Sequence, residues 1–291
     1  MERGKGFSVM VTRFLVLVLA CTLVVACDAA RSVRDAALDT AVQFVPRSVD
    51  IHFGRSASAA TVAKAQRLPV PVHSRLRNFV APIAQSAQSA GGHESVAYRF
   101  FVLQQPTPNA FAFPDGSIFF TTGLIELSKT PEEILAVAGH EVAHVEARHG
   151  MQSMMTHMGL TLALHLFLGD LGVFAGLAGM GGQFMALQFS RDNEREADAL
   201  GAEVLRRAGL PLRGISMFFE RMSQWEQTQR MVSPDAALVQ SFLSTHPATE
   251  ERRQWAEDLT DDPSASVPAS SVAQYHSLKK DVAQLTVSPP K

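Results

Sequence analysis

Hydrophobic positions along this chain recur with two periods, and the switches between them mark its elements. Phe14 to Ala26 is an unbroken apolar run behind a basic start at Arg3, Lys5 and Arg13. It is too short to span a bilayer comfortably and is patterned as a secretory signal. From Asp28 to about Arg47, Ala, Val and Leu return at helical spacing, and a second helix is predicted over Val72–Ala90, kinked or broken at Pro82. After the Ala90-Gly91-Gly92 break, Val96–Leu103 is aromatic and β-branched and predicts a strand. Two apolar runs flank Pro114-Asp115-Gly116, a turn signal, so Asn109–Phe120 predicts a β-hairpin.

The period then lengthens. Thr130 as N-cap, Pro131 at the first helical position and Glu133 three after the cap predict a helix start, with Gly150 as its stop. Between Met151 and Phe189 lies a Gly-rich apolar segment carrying His165 and Asp170, which reads as a buried helical hairpin or as a flap toward membrane or substrate. Further helices are predicted from Arg191 to about Ala208, from Pro211 to about Gln227, over Pro247–Leu259 and over Ser270–Leu285, the last behind a Pro- and Ser-rich linker. The sum is an α+β fold, mostly α-helical, with one small sheet.

Composition narrows the class. Of 291 residues, 46% are hydrophobic and 19% charged, so the chain can bury a core. With 26 basic against 28 acidic residues and no long basic run, nucleic acid is not an expected partner. The apolar run ends Val24-Val25-Ala26-Cys27, which resembles the lipobox of bacterial lipoproteins, with Cys27 as the lipidated first residue and Cys21 a poorer alternative. Loss of residues 1–26 removes Arg3, Lys5, Arg13 and Glu2 and leaves 23 basic against 27 acidic residues. Asp28 resembles an inner-membrane retention signal of enteric lipoproteins; inner against outer membrane stays open. Both cysteines of the chain fall in or beside the signal, so the folded part has no thiol pair to close.

The helix predicted from Thr130 carries His140-Glu141-Val142-Ala143-His144. At about 100° per residue, positions four apart differ by about 40° around the axis, so both imidazoles project from one face and can share an ion. Glu141 sits on the shoulder of that face. A catalytic zinc takes three protein ligands and keeps one position for water. His149, nine residues after His140, lies on the opposite side of the helix and is rejected as the third ligand, and Gly150 stands where a metzincin needs His or Asp. A carboxylate from a later helix remains. Glu194-Arg195-Glu196-Ala197-Asp198 matches best, because Glu194 can bind metal while Asp198, one turn on, orients an imidazole.

Three separated motifs agree in order and spacing: His140 to Gly150, Ser190-Arg191 leading into Glu194–Asp198, and Asn109-Ala110-Phe111-Ala112-Phe113-Pro114. Together they resemble the gluzincin zinc metallopeptidases of HtpX, CAAX-prenyl-endopeptidase and OMA type, in the periplasmic lipoprotein branch similar to LoiP and the protease domain of BepA. The resemblance runs from about Val96 to Arg252. It implies a zincin-like metallopeptidase domain, placed at 72–259; the pattern along the rest of the chain adds a signal at 1–26, a tether and helix at 27–71, and a linker, short helix and tail at 260–291.

By that resemblance one Zn2+ per chain is held by His140, His144 and Glu194, Glu141 is the general base, and Asp198 orients a ligand. Neither tyrosine, Tyr98 or Tyr275, lies in a matched motif, so the oxyanion falls to His246 of Thr245-His246-Pro247 or to Arg252; His246 can instead cap the zinc and hold the enzyme latent. Asn109, Ala110, Phe111 and Ala112 would form an edge strand beside the zinc helix, where an extended substrate adds through main-chain bonds. The expected activity is zinc-dependent endoproteolysis of unfolded or misassembled envelope proteins by a lipid-anchored, periplasm-facing enzyme. The alternative is a chaperone or assembly factor with a latent zinc site.

Overall fold

The period-2 pattern of the strands and the period-3.6 pattern of the helices meet around one long buried helix. The computed structural model describes residues 42, 45–90, 96–156, 189–232 and 242–287. The signal, Cys27, the first part of the expected tether helix and residues 157–188 with His165 and Asp170 lie outside the described residues. In chain order the elements are α1 (Arg47–Ala65), α2 (Val70–Phe79), α3 (Ala81–Ala90), β1 (Arg99–Leu103), β2 (Ala110–Ala112), β3 (Ser117–Thr121), α4 (Thr122–Leu127), α5 (Pro131–Glu146), α6 (Arg191–Arg207), α7 (Arg213–Val232), α8 (Phe242–Thr245), α9 (Glu250–Glu257) and α10 (Ala269–Val287). No helix among the described residues is long and apolar enough to cross a membrane.

The sheet runs β1-β3-β2, with β1 parallel and β2 antiparallel to β3. The β2–β3 hairpin turns at Gly116, whose φ of 79° suits a residue without Cβ. Alternate side chains leave opposite faces, and here both faces are apolar. Phe100, Val102, Ala110, Ile118 and Phe120 join the main helical core. Phe101, Leu103, Phe111 and Phe119 join Val49, Phe53 and Ala57 of α1. The rings of Phe101, Phe119 and Phe111 stack across all three strands with centroids 5.2 Å apart at each step. Phe111, Phe113, Phe119 and Phe120 are therefore packing residues of the sheet. His73 of α2 closes the outer side of β1: Nε2 donates to Ala65 O and Nδ1 accepts from Val102 N–H, both at 3.1 Å.

Helix boundaries refine the sequence expectation. The stretch predicted over Val72–Ala90 is broken, one of the two outcomes expected of Pro82: the chain breaks at Val80 and restarts with Pro82 in the first turn of α3. Thr130 occupies the N-cap of α5, yet its hydroxyl caps nothing, and Glu133 instead accepts from the N–H of Lys129. Gly150 is not the stop of α5. The helix ends earlier, at Ala147, and Arg148 takes φ 61°, a left-handed conformation unusual for a residue with Cβ. Its guanidinium holds that turn by a two-pronged pair with the buried carboxylate of Asp50 on α1, at 2.7 Å through Nε and Nη2. The last helix, expected over Ser270–Leu285, is α10; its Tyr275, Leu278 and Val282 are fully buried and it packs on α2.

Helix α5 is buried on every side from Glu133 to Val145, which puts its polar groups inside the protein. Against it lies α6, whose buried stripe reads Glu194, Ala197, Asp198, Gly201, Ala202, Val204 and Leu205, a 3–4 spacing that includes two carboxylates. The two helices cross at Gly139 and Gly201. A Cβ on Gly201 would stand 3.1 Å from Gly139 C and from His140 N, so glycine there lets α6 carry its carboxylates up to the imidazoles of α5.

Candidate metal centre

The structure brings polar groups of α5 and α6 together. His140, His144 and Glu194, joined by His246, place one donor atom each within 4.8 Å of one another, and all four residues are buried. His140 Nε2 lies 3.0 Å from His144 Nε2 and 3.6 Å from Glu194 Oε2, and His144 Nε2 lies 3.4 Å from Glu194 Oε1. Ligands at about 2.0–2.1 Å from a tetrahedral zinc stand about 3.3 Å apart, so these spacings fit a single ion of that size. His246, on the loop between α8 and α9, brings Nδ1 to 3.3 Å from His140 Nε2 and 2.9 Å from Glu194 Oε1. It thus stands where a fourth ligand would.

Charge points the same way. Glu141, Glu194 and Asp198 are three buried carboxylates facing one buried cation, Arg252, and neutral imidazoles leave two negative charges uncompensated. A divalent cation cancels them. Without one, protons fill the role: burial pulls the His140 imidazole down, but hydrogen bonds to Asp198 and Glu194 outweigh it and raise its pKa to about 9. Burial likewise pushes the Glu194 carboxyl up, and the neighbouring His246, His140 and His144 more than reverse this, holding it well below the usual range. His144 is pulled well down by burial. The donor set therefore fits a divalent metal by spacing and by charge.

The groups around the cluster are fixed in turn. Asp198 Oδ1 accepts from His140 Nδ1 at 3.0 Å, which leaves Nε2 facing the cluster. Arg252 grips Asp198 from the other side, Nε to Oδ2 at 2.6 Å and Nη2 to Oδ1 at 2.8 Å, while Nη1 donates to Pro247 O and pairs with Glu194 Oε2 at 2.6 Å. The oxyanion role expected as one option for Arg252 is revised by this geometry, because its donors are committed to the two carboxylates and the loop. Glu141 is 1% exposed, and its Oε1, 3.5 Å from His246 Nε2, has no hydrogen-bond partner among the described residues. Burial raises its pKa against the opposing charges of His246 and His140.

Three contacts were not foreseen from the sequence. Phe189 stacks on His144 with centroids 4.1 Å apart, Phe242 stacks on His246 at 4.4 Å, and His149 Nδ1 lies 2.9 Å from His144 Nδ1. Both tyrosines are engaged elsewhere: Tyr98 donates to Glu146, and the Tyr275 hydroxyl meets that of Ser128 at 3.1 Å. Of the expected edge residues, Ala110–Ala112 form β2, which pairs with β3 on one side only and packs beside α5; Asn109 precedes it.

Comparison with known proteins adds an independent finding. The profile of peptidase family M48 matches residues 73–260. The mitochondrial metalloendopeptidase OMA1 of Schizosaccharomyces pombe is 27% identical over 199 residues, 68% of this chain and 56% of that protein. The metalloprotease LoiP of Escherichia coli K12 is 28% identical over 207 residues, covering 69% of this chain and 74% of LoiP. The beta-barrel assembly-enhancing protease of Yersinia pestis is 28% identical over 186 residues, 58% of this chain and 36% of that protein. The chain thus spans about half of OMA1 and about a third of the beta-barrel assembly-enhancing protease.

Proposed function

Since this chain belongs to peptidase family M48 and is a metallopeptidase by family, we propose that it is a zinc-dependent endopeptidase acting on unfolded or misassembled proteins of the bacterial envelope. The observation that carries this reading is the buried donor cluster of His140, His144 and Glu194, one helical turn of α5 and one of α6, with Glu141 beside it. Those three residues would hold the zinc, which when bound would supply Lewis-acid chemistry to a water and a peptide carbonyl. Glu141 takes the proton of the attacking water and delivers it to the departing amine. Asp198 keeps the His140 ring in its ligating tautomer, and Arg252 holds Asp198 and Glu194 in place. The edge of β2, including Ala110, Phe111 and Ala112, takes an extended substrate through backbone bonds, which favours unfolded segments over particular side chains. The lipobox at Cys27 supports an envelope tether, and the relatives named LoiP and beta-barrel assembly-enhancing protease support that compartment.

Purified full chain is expected to carry one zinc and to cleave an unfolded chain such as reduced casein while sparing a folded protein of similar size. Zinc-loaded protein that holds the unfolded chain without cutting it would favour the chaperone reading instead. One further observation qualifies the resting state: His246 Nδ1 occupies the fourth donor position, and a metal site closed by four protein ligands is the structural rather than the catalytic pattern. We propose that His246 in this position holds the enzyme latent. His246→Ala should then raise the cleavage rate severalfold with zinc retained; a drop in rate would assign His246 to the reaction itself.

A further inference from the structure

Of the two imidazoles that α5 contributes to the proposed site, His144 is the one whose outer nitrogen is not held by a carboxylate. His140 has Asp198. His144 Nδ1 has instead the Nδ1 of His149 at 2.9 Å, and His149 Nε2 lies 3.3 Å from Glu196 Oε2 on α6. We propose that His149 is a positioning residue that fixes His144 in its ligating tautomer, acting as a hydrogen-bond acceptor whose own proton is held by Glu196.

Two facing Nδ1 atoms at that distance require one donor and one acceptor. Glu196 decides which is which. A neutral His149 that donates through Nε2 to a carboxylate has only a lone pair at Nδ1, so His144 must carry its proton on Nδ1. The Nε2 of His144 is then bare, and it points to His140 Nε2 and Glu194 Oε1 in the donor cluster. The opposite tautomer of His144 would put a hydrogen where the metal belongs.

The backbone explains why His149 is there at all. On a continuous helix it would lie about 140° around the axis from His144. Arg148 at φ 61° breaks the helix one residue earlier and turns His149, which is fully buried, back onto His144. That strained residue is held by Asp50 of α1, and by Arg148 Nη1 donating at 2.6 Å to the carbonyl of Val42, which precedes α1. Arg47 of α1 adds a bond to Val145 O at 2.7 Å. The segment leading out of the proposed tether therefore braces the turn that presents His149.

The inference rests on the zinc reading above, and its test is arranged so that the two can fail separately. Zinc dissociation constants of the full chain are measured by competition with a chelator of known affinity. His149→Phe, which keeps the ring volume and removes the acceptor, should weaken zinc binding about 10–100-fold, the usual effect of losing a partner of a ligand imidazole. His149→Asn, which can offer Oδ1 near the Nδ1 position, should recover much of that loss. Equal affinity of His149→Phe and wild type, or equal weakness of the Phe and Asn variants, overturns the proposal while leaving the zinc site intact. A wild-type chain that takes up no zinc overturns the zinc reading and this inference with it. Nitrogen-15 histidine spectra of the zinc-loaded wild type need no variant to fold: a proton on Nδ1 of His144 and on Nε2 of His149 is expected, and a proton on Nδ1 of His149 overturns the assignment.

Discussion

Glu141→Gln is expected to reduce cleavage of an unfolded substrate by about 10^3-fold or more, within the range that general acid–base groups contribute, while zinc stays at one per chain. The amide keeps the shape of the side chain and cannot take a proton from water. It is also expected to leave the metal-free protein at least as stable as wild type at pH 7. The sign follows from burial, which raises the folded pKa of Glu141 above its unfolded value. A carboxyl shifted upward opposes folding at any pH above its unfolded pKa, and Gln removes that opposition. Rate, zinc content and urea midpoint on one preparation check all three statements. A variant that keeps a tenth of the wild-type rate would remove Glu141 from the proposed chemistry.

Much of this arrangement was legible in the sequence because it is built from helical spacing. His140 and His144 share a face by arithmetic alone, and Glu194 and Asp198 fall on the same stripe of α6 as Ala197, Gly201 and Leu205, so the helix that buries its apolar side must bury its carboxylates too. The hairpin was equally plain, since Pro114-Asp115-Gly116 interrupts two apolar runs. What escaped were contacts made by departures from regular structure. His149 was set aside as a ligand on the geometry of a continuous helix, and it does stand outside the donor cluster; the left-handed turn at Arg148 carries it to the back of His144. No local pattern announces that turn, because its support comes from Asp50, 98 residues away in sequence. The same holds for α10, whose modest amphipathic pattern gives no sign that Tyr275 packs on Phe79 at 5.5 Å in the centre of the molecule.

Arg252→Met is expected to have the largest effect on stability. Arg252 is 3% exposed, its guanidinium lies over the Phe219 ring at 5.1 Å, and it contacts both carboxylates that α6 contributes to the site. Methionine preserves much of the packing and removes the charge. Breaking a buried pair from one side strands the other charge, which typically costs about 3–5 kcal/mol; here Asp198 is left with His140 as its remaining partner, while Glu194 keeps the imidazoles of His140, His144 and His246. The deficit depends on pH in a definite direction. Asp198 and Glu194 have folded pKa values below their unfolded ones, so their contribution is fully present above the ordinary carboxylate range and fades as pH falls through the folded values. The difference between wild type and variant should therefore be greatest near pH 7 and shrink below about pH 4. It should also shrink when zinc is added, since a divalent cation bound beside Glu194 restores the lost positive charge. Urea unfolding at pH 7 and at about pH 3, with and without zinc, measures each difference. A metal-free deficit under about 1 kcal/mol at pH 7, the size of an exposed ion pair, would mean that Arg252 is not what holds these carboxylates in place.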